Sequence, residues 1–314
     1  MLNKHEKWKE IKVRKFPDYN YHAIWHNLKT LRLGKGVAKE LPPDKAEFYD
    51  VSLGTKCNLE CPFCYTNAKG NGMLYDNIVE KAKFFFGDMS DNDKSFQIAI
   101  GSQGEPTIHP QFIEFLETIY NLGIVPNYTT NGITIGNDDE YSKQLLEQTA
   151  KFCGGVAVSA NTWNEQIDVF WRKAVNKLSQ IDININIHYI IKNKQSVDEF
   201  IKIYDEYKDK VLYFVLLPLM DSGRSTEKCS EEAFEYLMTF NDQINTEKIA
   251  FGAHFYNSLI KHQDKIKCWL YPPESLSKNL ILDDIIKITA SSFHSEPLME
   301  IPFKKIEETL YYEK

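Results

Sequence analysis

Cys57-Asn58-Leu59-Glu60-Cys61-Pro62-Phe63-Cys64 sets three cysteines within eight residues, spaced C-x3-C-x2-C. The stretch before it, Phe48-Tyr49-Asp50-Val51-Ser52-Leu53-Gly54-Thr55, reads as an apolar strand ending in glycine. The cysteines therefore sit on the loop that leaves a strand, where three thiolates can be aimed at one point. Soft thiolates suit a zinc ion or an iron–sulfur cluster. A structural zinc site wants four protein ligands, and no fourth Cys or His stands at zinc-site spacing. A cubane cluster normally takes four cysteines; three leave one iron open to a ligand from outside the protein. Buried structural thiols are the plain alternative.

Around this loop the chain has a regular rhythm. Apolar strand patterns at 47–54, 95–101, 124–130, 154–160, 182–191 and 211–217 alternate with helix patterns at 75–88, 110–122, 138–152, 163–179, 196–208 and 230–246. Six strand–helix units predict an α/β fold, with a parallel sheet and helices outside it. Six are too few for a closed eight-stranded barrel. Residues 1–46 predict an N-terminal arm, extended or a short strand to residue 20 and then a strand or hairpin over 21–34 that covers one end of the main domain. Gly34-Lys35-Gly36 and Leu41-Pro42-Pro43 punctuate the approach to the core. Residues 247–314 form a small C-terminal extension, with a further strand at 248–255 and two short strands about Asp283-Asp284 over 279–291.

The cysteine stretch resembles the C-x3-C-x-φ-C signature of radical SAM enzymes, with Phe63 as the aromatic residue. Gly101-Ser102-Gln103-Gly104-Glu105-Pro106-Thr107, after the second strand, is similar to that family's G-G-E-P motif, with Gln103 altering the first glycine position. The resemblance implies an open parallel (β/α)6 partial TIM barrel over about residues 47–246. It also implies a [4Fe-4S] cluster held by Cys57, Cys61 and Cys64, and S-adenosylmethionine (SAM) on the fourth iron. In this family, reductive cleavage of SAM yields a 5′-deoxyadenosyl radical that abstracts hydrogen from a substrate. The cofactors carry the difficult chemistry, so no acid–base pair is required of the protein.

The same resemblance points to further cofactor-binding positions at strand ends. Gly104 and Glu105 belong to the motif that holds the SAM amino group. Asn131 lies in Thr130-Asn131-Gly132, which reads equally well as a turn. Ser159 ends the fourth strand, where the family contacts the SAM ribose or carboxylate; an N-cap at Ser159, Asn161 or Thr162 is the plain alternative. Asn184, Asn186 and His188 share one face of the fifth strand, and Asn186 and His188 are best placed to reach cofactor or substrate. That face could otherwise meet solvent. Arg224, in the loop after the sixth strand, could hold a carboxylate or phosphate or simply lie on the surface. Tyr65 and Asn67 border the cysteine loop.

The other cysteines, Cys153, Cys229 and Cys268, show no pairing pattern, which fits a reducing cytoplasm better than a disulfide framework. The extension weakly resembles that of peptide-modifying family members, but with Ser291-Ser292 where a cysteine is expected. It is read as reduced, without an auxiliary cluster. The formal net charge of -7 argues against generic nucleic-acid binding, which favours a basic balance. No run approaches the ~20 apolar residues needed to cross a bilayer, and the polar start is no secretory signal. The expected partners are an electron donor such as flavodoxin or ferredoxin, and a peptide or protein substrate. A nucleotide or small metabolite is the alternative substrate. A non-catalytic iron–sulfur or zinc protein is the reading from another class.

Overall fold

The computed structural model describes residues 6–33, 39–244, 246–263 and 276–303. Gly34-Lys35-Gly36 and Cys268 lie outside them. The core is a run of parallel strands in sequential order: β4 (Phe48–Ser52), β5 (Gln97–Ile100), β6 (Val125–Thr130), β7 (Gly155–Ser159), β8 (Asn184–Ile191) and β9 (Tyr213–Pro218). Helices α1 (Ile78–Phe86), α2 (Phe112–Asn121), α4 (Glu140–Phe152), α5 (Glu165–Leu178) and α6 (Lys194–Tyr207) cross between them, with a short α3 (Ile133–Gly136) after β6. All six strands stand where the hydrophobic pattern puts them. The sixth helix is two pieces, α7 (Glu231–Leu237) and α8 (Asn241–Ile244).

Local chemistry explains the boundaries. Asp139 accepts from the Ser142 backbone N–H at the start of α4, and Asn164 accepts from Gln166 and Ile167 at the start of α5. At α6, Asn193 and Ser196 exchange hydrogen bonds as a capping box. On the strands, alternate residues turn outward beneath the helices. Tyr49, Val51, Ile98, Ile100, Tyr128, Val156, Val158, Ile185 and Ile187 join the core that faces α1–α6. Their in-between neighbours, including Asp50, Ala99, Asn127, Ala157, Asn186 and His188, face the inside of the curved sheet.

The sheet is longer than six strands. β10 (Ile249–Phe251) pairs parallel with β9, and β11 (Ser277–Leu282) pairs parallel with β4. Eight parallel strands thus lie side by side. Among the described residues β10 and β11 do not pair with each other, so the barrel stays open. β12 (Ile285–Thr289) follows β11 across the Asp283-Asp284 turn, as expected, and both it and β13 (Pro297–Pro302) are antiparallel. The sequence does not announce β13, because proline opens and closes it; only an edge strand tolerates that.

The N-terminal arm is a separate antiparallel sheet of β1 (Lys12–Phe16), β2 (Tyr21–His26) and β3 (Lys29–Leu33). Trp8, Tyr21, Ala23 and Trp25 pack with Leu41, Phe96 and Val125, at the N-terminal ends of the barrel strands. Arg14, fully buried, donates to the carbonyl oxygens of Ala46 (3.0 Å), Lys45, Asn92 and Asp93 (2.9 Å each). The arm therefore stoppers the bottom of the barrel and leaves the C-terminal strand ends, where such folds place their chemistry, as the open face.

Candidate active site

The cysteine loop leaves β4 at this open face and is held there by neighbouring loops. Gly104 has φ +66°, and a Cβ on it would stand 2.5 Å from the Lys56 carbonyl oxygen, so only glycine lets the two loops touch. The same holds for Gly223, with φ +64° and an added Cβ 2.2 Å from the Cys64 oxygen. Next to it, Arg224 donates from Nε to the Cys61 oxygen at 2.8 Å and from a terminal nitrogen to the Ala68 oxygen at 2.8 Å. Its backbone N–H donates to the Cys64 oxygen at 3.0 Å. Arg224 is thus half-buried, with Nε and one terminal nitrogen spent on the cysteine loop and the other, Nη2, buried without a partner among the described residues. It is the clamp that shapes the cysteine loop.

Cys57, Cys61 and Cys64 all line one cavity of about 390 Å³, within the ordinary range for small-molecule sites. Burial pushes the Cys57 thiol up to about 12 and the Cys61 thiol up to about 11. The Trp163 indole N–H, otherwise without a partner, and Arg224 oppose the rise at Cys61. The Leu59 N–H donates to the Cys57 sulfur at 3.4 Å, the Asn131 amide approaches it at 3.9 Å, and the Thr66 hydroxyl lies 3.5 Å from the Cys64 sulfur. Polar hydrogens beside each sulfur are what anionic thiolates need, and such contacts tune iron–sulfur potentials. Among the described residues no three His, Cys, Asp or Glu side chains are grouped tightly enough to chelate a single metal ion. Three thiolates on one cavity, with no fourth protein ligand beside them among the described residues, suit a cubane, which takes each thiolate at a separate corner, better than a structural zinc, which takes four protein ligands.

Glu105 lines the same cavity, yet its carboxylate is tied up within the protein. Oε1 accepts from the Thr107 hydroxyl (2.7 Å), the Thr130 hydroxyl (2.8 Å) and the Thr107 N–H (3.3 Å); Oε2 accepts from the Asn131 N–H (2.8 Å). Burial raises its pKa against these four donors. Asn131 also donates to Asn58 Oδ1 at 2.7 Å and accepts from the Ile133 N–H at 3.0 Å. Glu105 and Asn131 together lock the ends of β5 and β6 to the cysteine loop.

Phe63, Gly104, Ser159 and His188 also line the cavity. Ser159, Asn161 and Thr162 do not cap the following helix, since Asn164 does. The Asn184–Asn186–His188 row faces the barrel interior and not solvent: Ala157 pairs with Asn186, and Ser159 with His188. His188 lies on the cavity wall, where burial lowers its pKa to about 4. Asn186 is one step deeper and outside the lining, with its Oδ1 buried and unpartnered. Tyr65 lines the cavity and donates to the Ser102 carbonyl at 2.8 Å, while Asn67 accepts from Arg224.

Four lining residues escaped the sequence reading. Lys192 extends from the end of β8 and sets its ammonium 4.3 Å from the Phe63 ring centre. Phe293, from the loop before β13, stacks on Tyr65 with centroids 4.5 Å apart, and His254 meets the other edge of Phe293 at 4.5 Å. Asp50 lies on the inward face of β4. A lysine after a strand and an aspartate within one carry no motif. Only the period-2 alternation of β4 could have marked Asp50 as inward.

Comparisons with known proteins agree with this geometry. The family model described as the radical SAM superfamily matches residues 51–223. Fe-coproporphyrin III synthase of Methanosarcina barkeri is 25% identical over 219 residues, 64% of this chain and 53% of that protein. The 7,8-dihydro-6-hydroxymethylpterin dimethyltransferase of Methanocaldococcus jannaschii is 27% identical over 99 residues, 31% of this chain and 19% of that protein. The chain thus spans about half or less of these curated relatives. Among solved structures, Streptococcus suis SuiB bound to its precursor peptide SuiA superposes with a TM-score of 0.58, at 15% identity, over 81% of this chain and 64% of that one. Among the described residues no helix is long and apolar enough to cross a membrane. From the matched half of the chain and its cysteine loop, this protein belongs to the radical SAM superfamily, whose cofactors are a [4Fe-4S] cluster and SAM.

Proposed function

We propose that the chain is a radical SAM enzyme acting on a substrate that enters the open end of the barrel. The observation that carries this reading is the convergence of Cys57, Cys61 and Cys64 on one cavity with the strand-end residues Gly104, Glu105, Asn131 and Ser159. In this reading the three thiolates hold the cluster. Gly104 and its neighbours offer backbone acceptors to the SAM ammonium, while the Glu105 carboxylate keeps those loops in place. Lys192 neutralises the SAM carboxylate, and Ser159 and His188 line the nucleoside and substrate side. Phe63 shields the cluster, and Asn186 supports the cavity from below. Loaded and reduced, the site supplies a 5′-deoxyadenosyl radical for hydrogen abstraction. The protein's own part is to orient the partners and exclude water. Tyr65, Phe293 and His254 form an aromatic rim that serves this exclusion.

The electron donor is a flavodoxin or ferredoxin, and a reducing cytoplasm suits the three free thiols. The substrate is a peptide or protein, a reading supported by the shared fold with SuiB, which was captured with a precursor peptide. The test is anaerobic reconstitution with iron and sulfide, reduction in the presence of SAM, and assay for 5′-deoxyadenosine. The wild-type protein is expected to form it and Cys61→Ala is not. Iron uptake and SAM cleavage at the wild-type rate by Cys61→Ala overturn the assignment.

A further inference from the structure

Asp50 is a charged group for which the radical site has so far provided no use. It lies on β4 two residues below the strand end, and its side chain lines the cavity. Among the described residues no hydrogen-bond donor or ion-pair partner reaches it, and burial alone pushes its carboxyl up to about 6, so at neutral pH the group is still mostly ionised. On one side its register neighbour is Ala99 on β5, too small to fill the space. On the other it is Asn279 on β11, whose side chain shares the inward face. Asn279 is only 1% exposed. Its amide donates to the Thr289 hydroxyl at 3.1 Å, and that hydroxyl donates to the Ser291 carbonyl at 2.9 Å, which fixes the amide orientation. Asn279 Oδ1 is left buried and without a donor. Nearby, the Ser102 hydroxyl on the cavity wall is buried and unpartnered too. Tyr65, the polar side chain beside Asp50, already gives its proton to the Ser102 carbonyl.

Among the described residues this floor holds acceptors and no cation. Asp50 is half-buried and open to the cavity, so a partner for its charge comes from the cavity side, and the buried Ser102 hydroxyl beside it is of a kind that is normally satisfied. The cavity's lysine, Lys192, stands at the end of β8, separated from β4 by three strands. We propose that Asp50, with the Ser102 hydroxyl on the same cavity wall and Asn279 behind it outside the lining, binds a cationic nitrogen group of the substrate, an ammonium or a guanidinium. The inference rests on the reading of this cavity as the radical site and names the class of substrate that it takes. The two walls then divide the work: Lys192 faces the anionic end of the cofactor, and Asp50 faces the cationic end of the substrate. The cationic group is the side chain of a lysine or arginine in a peptide, or it is a small free amine; the chemistry at Asp50 is the same.

The experiment is calorimetric titration of the reconstituted, SAM-loaded protein with n-butylammonium, n-butylguanidinium, 1-butanol and butyrate. Wild type is expected to bind the two cations at least tenfold more tightly than butanol, and to reject butyrate. Asp50→Asn, which keeps the shape, is expected to lose that preference while retaining the cluster's visible absorbance and SAM affinity. Acetyl-Gly-Lys-Gly-amide and acetyl-Gly-Arg-Gly-amide separate the sources. Binding at least as tight as that of the simple cation means a peptide side chain, and exclusion of both peptides means a small amine. Equal affinity of wild type for butylammonium and butanol overturns the proposal, as does an Asp50→Asn protein that keeps the cation preference. If Asp50→Asn does not fold, the wild-type comparison of cation with alcohol decides alone. If the wild type takes up no iron, the radical reading fails. The same titration on the metal-free protein then still tests Asp50.

Discussion

Glu105→Gln separates a structural lock from a cofactor contact. The substitution keeps the side chain's shape and one acceptor oxygen. With that oxygen at the Oε1 position, the two Thr hydroxyls and the Thr107 N–H stay paired, and the new amide N–H faces the Asn131 N–H. One charge-assisted bond is lost, about 1.5–3 kcal/mol, and two buried donors confront each other, roughly 1–3 kcal/mol more. Removing a buried charge returns part of this. The net loss of folding stability is about 2–3 kcal/mol, on the order of thirty- to a hundred-and-fifty-fold in the unfolding equilibrium. The assay is urea unfolding of the metal-free protein, read by far-UV circular dichroism, alongside SAM binding to the reconstituted protein. A lower midpoint with an unchanged slope is expected, and the folded fraction keeps near-normal SAM affinity. Unfolding within about 0.5 kcal/mol of wild type, combined with a tenfold or greater loss of SAM affinity, refutes the lock.

The loop clamp and the cavity-wall histidine give further tests. Arg224→Lys loses the planar fork across Cys61 and Ala68, so iron and sulfide content after reconstitution is expected to fall; content equal to wild type means that the clamp is dispensable. Gly223→Ala drives a methyl against the Cys64 carbonyl from a left-handed backbone, and impaired cluster uptake is expected, measured by visible absorbance. Normal uptake there would show that the loop yields. His188 is held neutral with its pKa near 4, below the usual 6.5. The unfolded chain therefore takes up a proton that the folded one refuses, and stability falls as pH drops from about 6.5 to about 4, by as much as about 3 kcal/mol. Urea unfolding at pH 7 and pH 5 measures this. His188→Gln is expected to flatten that part of the pH dependence, and an unaltered slope would deny the histidine its share.

The alternation of apolar strands and helices was enough to predict β4 to β9 and the parallel sheet, because hydrophobic periodicity is local and each unit must bury one face. The cysteine spacing and the strand-end glycines were equally legible, since a loop of fixed length places its own side chains. Local reading left alternatives open in places. The helix-cap alternative at Ser159, Asn161 or Thr162 closes only when Asn164 is seen in that role. Arg224 reads as an anion grip or a surface residue, and nothing local foretells that it donates to carbonyls of the cysteine loop more than 150 residues earlier in the chain.

Tertiary structure alone decided the rest. The 277–302 segment reads as an appendix in the sequence, yet β11 lies directly against β4 and lengthens the parallel sheet. That pairing brings Asn279 beside Asp50, and the loop after β12 carries Phe293 to Tyr65. A hairpin over 21–34 covering one end of the core is legible in the sequence, but that the end is the bottom of the barrel, and that the buried Arg14 holds the arm there, is not. The physical reason is common to all three. Composition and spacing determine which face of an element is apolar and which loop carries thiols. Which distant strand covers an edge, and which charge is left facing a cavity without a partner, depends on how the sheet curves and which backbone groups meet across it.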